Sequence, residues 1–169
     1  SGVSCGTERL VHLATVPDSV ADAMQAPFQE GRFPFPVKYG YLSAGIVEAG
    51  PAQLLGRRVF VLHPHQDRFV IDSAAAHLIP DAVPTRRALL AGAVETAING
   101  LWDAAPLVGD RVAIVGGGLI GGCVAILART MPLRRLVVIE PNHGRRGLLS
   151  AAGLEAVPTG VAHGTVTAV

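Results

Sequence analysis

The sequence predicts a chain in two parts: a β portion of short antiparallel strands over residues 1–83, then an α/β portion with a doubly wound parallel sheet over residues 84–169. Three observations lead there. β-Branched and aromatic runs broken by Pro, Gly, Asp and Gln fill the first half, the pattern of a barrel or sandwich. The composition changes once, between Pro80 and Pro84. Beyond it, strand and helix periods alternate, which builds βαβ units.

Taken in order, GYLSAGIVEAG, RRVFVLH and DRFVIDS are the expected strands of the first part. PTRRALLAGAVETAINGLWDAA, rich in Ala and Leu and opened by Pro84, predicts one or two helices bridging the halves. A Gly-Asp turn then leads into a strand over residues 112–115, a glycine turn and an apolar helix stopped by Pro132. LVVIE is a further strand whose unbroken apolar run implies burial on both faces. Asn142 is placed to cap a helix that Gly153 ends, and residues 155–157 to begin a third strand. The closing PTGVAHGTVTAV carries only a weak strand signal.

Composition excludes whole classes of function. With 14 Lys and Arg against 13 Asp and Glu, the formal charge of +1 is too small a field to draw nucleic acid or an anionic membrane. At 50% hydrophobic and 16% charged, the 169 residues can bury one sizeable core or two modest ones, which sets disorder aside. The two cysteines, Cys5 and Cys123, are too few for a disulfide scaffold and fit a reducing, cytoplasmic setting. The opening SGVSCGTERLV lacks the basic start and apolar stretch of a signal peptide, and Ser1 reads as a cut end. Residues 112–128 lack charge and approach the length of a membrane span. Glycines crowd the front of that stretch and would weaken a continuous helix, so strand, turn and buried helix is the better reading.

The chemistry concentrates at the start of the α/β part. Gly116-Gly117-Gly118-Leu119-Ile120-Gly121 satisfies G-x-G-x-x-G directly after a predicted strand and before a predicted helix. Gly116 permits a tight turn, Gly118 lets a pyrophosphate approach the backbone, and Gly121 lets helix and strand pack closely. Leu119 and Ile120 open a helix whose unpaired N–H groups favour phosphate. An acid is expected about 20 residues on, to accept hydrogen bonds from the adenosine ribose, and Glu140 closes LVVIE at that place. Such a carboxylate repels a 2′-phosphate, which favours NAD over NADP. Arg145 and Arg146 pull the other way, since a guanidinium can stack on adenine or meet a phosphate. The bland alternative is a glycine-rich turn with Glu140 as an ordinary strand end.

In order, SGVSCGTE, KYGYLSAGIVEAG, GRRVFVLHPHQDRFV, AGAVETAINGLWDA and GDRVAIVGGGLIGG resemble the medium-chain dehydrogenase/reductase superfamily, the alcohol-dehydrogenase-like proteins, and most closely their members with a degraded zinc site. The resemblance spans about residues 1–157. It implies a partial GroES-like barrel followed by a partial Rossmann domain, with the active site in the cleft between them. It also implies hydride transfer between a nicotinamide and a carbonyl, an alcohol or an activated alkene. Cys5-Gly6-Thr7-Glu8 is similar to the family's Cys-Gly-Ser/Thr-Asp motif, which implies a first zinc ligand at Cys5 and a proton-relaying hydroxyl at Thr7. A shift of one residue puts Ser4 at the ligand position instead. GYLSAGIVE is similar to the Gly-His-Glu-x-x-Gly segment, with Tyr41 and Leu42 where the His ligand and its Glu neighbour stand. The third ligand maps near Gly92, and the cysteines of the family's structural zinc lobe are missing. One thiolate cannot hold a catalytic zinc, which needs three protein ligands, so no zinc is expected.

Without a Lewis acid, charge developing on a substrate oxygen needs side-chain donors or a conjugated substrate. Thr7 and Tyr41 are the catalytic candidates, with Lys38 and Tyr39 just before the same strand; Tyr41 equally suits filling the old zinc cavity, and Lys38 facing solvent. Thr96 is similar to the family's threonine beside the nicotinamide, or is an ordinary helix hydroxyl bonded to a preceding carbonyl. His63 and His65, two apart on a strand, invite a metal; Pro64 and the lack of a nearby Cys or acid argue against it, and His65 better suits a strand end facing cofactor or substrate. His12, His77, His143 and His163 have no readable partner and are expected at surface or loop positions, and Cys123 is expected to pack quietly in its helix.

A complete Rossmann domain has six strands, whereas only two or three follow Arg111, and the barrel lacks its opening strands. The expectation is a fragment of a zinc-less NAD-dependent oxidoreductase acting on a small molecule. The alternative is a non-catalytic nucleotide-binding or structural remnant. Unfinished sheet edges also invite homo-oligomers.

Overall fold

The computed structural model describes residues 1–160, which fall into two compact units divided between Gly92 and Ala93. His163 and most of the C-terminal strand signal lie outside the described residues.

In the first unit, two short helices, α1 (Thr7–His12) and α2 (Asp18–Ala21), precede two antiparallel sheets. Strand β1 (Glu30–Gly31) pairs with β2 (Val37–Lys38). Strands β3 (Ser43–Ile46), β4 (Arg58–Val61) and β5 (His77–Leu78) form the second sheet, with β4 central. The central strand buries Val59, Phe60 and Val61. Phe60 joins Leu42, Ile79 and Ala88 in the core, flanked by Tyr41, Ala44, Leu62 and Val83. GYLSAGIVEAG and RRVFVLH thus supply strands as expected, and DRFVIDS does not. Phe69 leaves the alternation to stack on His63 at 3.7 Å between ring centroids, and Val70 is 98% exposed. Asp72 caps a 3-10 turn, Ser73–Ala75, by accepting from the Ala74 N–H at 2.9 Å. The strand comes later, as β5.

The division after Gly92 lies beyond the expected boundary at residues 83 and 84. The intervening segment is held to the first unit twice over. The Arg58 guanidinium donates to the carbonyls of Pro80, Asp81 and Val83 and to the Thr85 hydroxyl at 3.0–3.3 Å. Ala88, at the end of α3 (Thr85–Ala88), enters the core beside Leu42. PTRRALLAGAVETAINGLWDAA forms two helices, α3 and α4 (Ala91–Ala104).

The second unit alternates as predicted: β6 (Arg111–Val115), α5 (Leu119–Ala128), β7 (Arg135–Ile139), α6 (His143–Ala151) and β8 (Ala156–Val157). The three strands are parallel, in the order β6-β7-β8. Central β7 buries Val137, Val138 and Ile139, as its apolar run implies. Ala125, Val138, Leu149 and Leu154 form the core, the small Ala125 letting α5 lie close to the sheet. Asn142 caps α6, its side-chain oxygen accepting the Arg145 N–H at 3.0 Å, and Gly153 follows the helix at φ +78°. The charge-free stretch of residues 112–128 is divided among β6, the glycine turn and α5. Among the described residues no helix is long and apolar enough to cross a membrane.

Val138 is fully buried in this cluster. Val138→Ala is expected to cost about 2 kcal/mol through lost burial and a residual cavity, read as a lower urea midpoint at constant m-value. A change under about 0.5 kcal/mol would deny Val138 its place in the core.

Candidate functional site

Strand β6 ends at Val115, and the chain turns at Gly116 with φ +96°, a conformation that suits glycine. The Gly116 N–H donates to the Ile139 carbonyl at 2.8 Å, hanging the turn on the end of β7. Gly118 is the N-cap of α5, and no side chain caps that helix. Its first N–H groups lack intrahelical acceptors. The space around each glycine separates their roles. A Cβ at Gly121 would lie 1.9 Å from the Gly116 carbonyl oxygen, so the first turn of α5 packs directly on the preceding bend. A Cβ at Gly118 would meet nothing within 4 Å, leaving the backbone approachable from outside. Leu119 and Ile120 are exposed next to it.

Gly117 stands at a position the motif leaves unspecified. A Cβ there would lie 2.6 Å from Leu149 Cδ1 and 3.2 Å from Glu140 Cβ. The spacing does not signal this constraint; the run of three glycines is its one trace in the sequence.

Glu140 directly follows β7, and its side chain is only 3% exposed. Its Oε1 accepts the Asn142 N–H at 2.8 Å and its Oε2 the Gly117 N–H at 2.7 Å. These two backbone bonds, Asn142 first, hold the carboxyl below its ordinary value of 4.5; burial opposes them, and Arg145 and Arg146 assist. Arg145 is 59% exposed, with Nη1 3.8 Å from Glu140 Oε2. Arg146 donates to the carbonyls of Glu140 and Pro141 at 2.8 and 2.7 Å. Gly116, Gly118, Leu119, Ile120, Gly121, Glu140 and Arg145 are thus gathered at the C-terminal ends of parallel strands, where open α/β sheets bind ligands. Thr96 stands in the second turn of α4, on its exposed side.

In the first unit, Thr7 is the half-buried first residue of α1. The next residue, Glu8, is buried, accepts the Ser4 N–H at 2.7 Å and pairs with His65 Nε2. No sequence spacing signals that pair, because 57 positions separate its members. It corrects the expectation that His65 lacks a nearby acid. Nor do His63 and His65 share a strand face, since β4 ends at Val61. His63 is buried between Phe69 at 3.7 Å and Phe28 at 5.5 Å, with Nδ1 3.0 Å from the Pro64 carbonyl.

The Tyr39 hydroxyl donates to the Met24 carbonyl at 2.8 Å; burial, with Tyr41 and Glu8 nearby, pushes its pKa up to about 12. Tyr39 is therefore a poor proton donor. Lys38 pairs with Glu30 across the first sheet. Tyr41 packs against the core and meets Tyr39 edge-on at 6.0 Å. Cys5 is exposed, whereas a Cβ at Gly92 would lie 3.0 Å from Leu42 Cδ2. Two positions mapped to the zinc site therefore meet through an apolar side chain. Among the described residues no group of three or more His, Cys, Asp or Glu is arranged to hold a metal. Cys123 is half-buried in α5, and burial pushes its thiol pKa up. His12, His77 and His143 are exposed.

Gly118→Ala is expected to change unfolding free energy by no more than about 1 kcal/mol, the scale of an N-cap exchange. Gly121→Ala, driven into the Gly116 carbonyl, should cost more than about 3 kcal/mol; equal midpoints for the two variants would contradict the packing described. Glu140 is depressed in the folded state, so its stabilising contribution is present above pH 4.5 and is lost as pH falls below it through the folded value. The acid limb of a stability–pH curve should accordingly flatten in Glu140→Gln, and an unchanged limb would contradict the shift.

No protein-family model matches the chain, and no curated protein matches it in sequence. Solved structures match it in fold. A probable oxidoreductase from Mycobacterium abscessus superposes with a TM-score of 0.72 at 16% identity, over 95% of this chain and 50% of its own. The quinone oxidoreductase from Thermus thermophilus, also solved with NADPH, gives 0.68 at 22% identity over 95% and 49%. A short chain alcohol dehydrogenase from E. coli, complexed with NADH, gives 0.62 at 19% identity over 72% and 47%. The chain spans about half the length of these proteins. It has the fold of about half of a medium-chain dehydrogenase/reductase chain.

Proposed function

We propose that this chain is part of an NAD(P)-dependent oxidoreductase of the medium-chain dehydrogenase/reductase kind, working without catalytic zinc. On this reading, residues 1–83 correspond to a partial GroES-like barrel and residues 84–169 to bridging helices and the first half of a Rossmann domain. The observation that carries the proposal is the glycine turn. It is closed where α5 must pack at Gly121, open where a ligand must approach at Gly118, and set against a carboxylate at the next strand end.

A dinucleotide's diphosphate would meet the backbone N–H groups of Gly118, Leu119 and Ile120, with the helix N-terminus favouring its charge. Glu140 and Arg145 would lie at the adenosine end. The negative charge of Glu140 disfavours a 2′-phosphate and so favours NAD over NADP, with Arg145 and Arg146 as the opposing influence. When bound, the nicotinamide supplies the hydride exchanged with a small carbonyl, alcohol or activated alkene. Thr96 is assigned beside it by family position, and Thr7 and Tyr41 to proton relay. A catalytic zinc does not fit these residues, because Tyr41, Leu42 and Gly92 offer no thiolate, imidazole or carboxylate beside Cys5. The unpaired Cys5 and Cys123 accord with a cytoplasmic setting.

A second reading, nucleotide binding without turnover, is favoured by the parallel sheet, which has three strands among the described residues. Calorimetric titration of the chain is expected to show NADH and ADP-ribose binding, NADH more tightly than NADPH. Reduction of a quinone or aldehyde panel by NADH should be insensitive to chelators. Binding of neither dinucleotide would overturn both readings, whereas ADP-ribose binding without turnover would select the second.

A further inference from the structure

Glu140 is nearly inaccessible, yet it lies at the mouth of the proposed nucleotide crevice. Each carboxylate oxygen already accepts a backbone N–H, one from the glycine turn after β6 and one from the entry to α6 after β7. A single side chain thus ties together segments that follow different strands. Arg146 bonds the backbone carbonyls of Glu140 and Pro141, while Arg145, next to the carboxylate, is the exposed group. A ribose hydroxyl approaching from solvent finds little carboxylate surface to meet.

We propose that Glu140 is a positioning residue, whose charge presets the glycine turn and the α6 entry before any ligand arrives, independently of hydrogen bonds to ribose. The inference rests on the nucleotide-binding reading of that turn. A carboxylate accepts on both oxygens and donates nothing, which suits two converging N–H groups. A carboxamide of the same size keeps one acceptor and turns an N–H toward the other backbone donor. Glu140→Gln therefore breaks one brace whichever way the amide is turned. Charge-assisted bonds are also the stronger kind. A turn ordered in advance incurs no ordering cost when it binds.

The two roles part company on a nucleotide without ribose hydroxyls, which a hook cannot hold and a brace still serves. In the ligand-free chain, Glu140→Gln is expected to speed amide hydrogen exchange at Gly117 or Asn142 by about tenfold or more, with protection at Val138 retained as the sign of an intact fold. The same loss of protection, taken relative to the intrinsic exchange rate at each pH, should appear in the unmutated protein when the pH is lowered through the folded pKa of Glu140, which tests the brace without a substitution. Unchanged exchange at both amides would overturn the proposal. Titrated with ADP and 2′,3′-dideoxy-ADP, the variant should bind both more weakly by a similar factor, about tenfold; a loss confined to ADP would make Glu140 a ribose hook and overturn the proposal. Failure of the nucleotide reading looks different: the unmutated chain then binds neither nucleotide, while faster exchange in the variant still establishes the brace.

Discussion

The second unit depends on the register in which Val115 of β6 lies opposite Ile139 of β7. That alignment brings the residue after each strand to the same height, so the bend at Gly116 meets the Ile139 carbonyl and Gly117 meets Glu140. Side chains alternate across a sheet with a period of two, and a slip of one residue would send Glu140 to the other face. The register is held from below by the core of Ala125, Val138, Leu149 and Leu154. Burial of apolar side chains and placement of the carboxylate are therefore one event.

The first unit solves a different problem, since its strands are too short to hold a sheet by backbone pairing alone. Its cohesion comes from side chains reaching across loops. Arg58 gathers the carbonyls of the segment after β5, and Glu8 fastens α1 to the chain beyond β4 through His65. His63, just beyond the end of β4, stacks against Phe28 and Phe69. The imidazoles of His63 and His65, which invite a metal in the sequence, are thus engaged in holding loops together.

What was legible in the sequence is what short stretches determine. The strand, bend and helix around Gly116, the cap at Asn142 and the buried run of β7 follow from local spacing, and each stands where expected. DRFVIDS forms no strand, because alternation reports which residues favour a strand and not how the folded chain pairs them. The compact units divide after Gly92 rather than at the composition change because Ala88 packs in the first core and Thr85 accepts from Arg58, a fact of packing rather than composition. The Glu8–His65 pair and the confinement of Gly117 were illegible for the same reason. Both arise from residues far apart in the chain that only the folded backbone brings together.

The confinement of Gly117 between Leu149 and Glu140 reaches beyond the turn itself. Leu149 is a core residue of α6, and its terminal methyl occupies the volume that a side chain at position 117 would claim. A side chain at 117 requires that methyl to turn aside and Glu140 to give by a few tenths of an ångström, so the energies of substitutions at 117 and 149 should be coupled rather than additive.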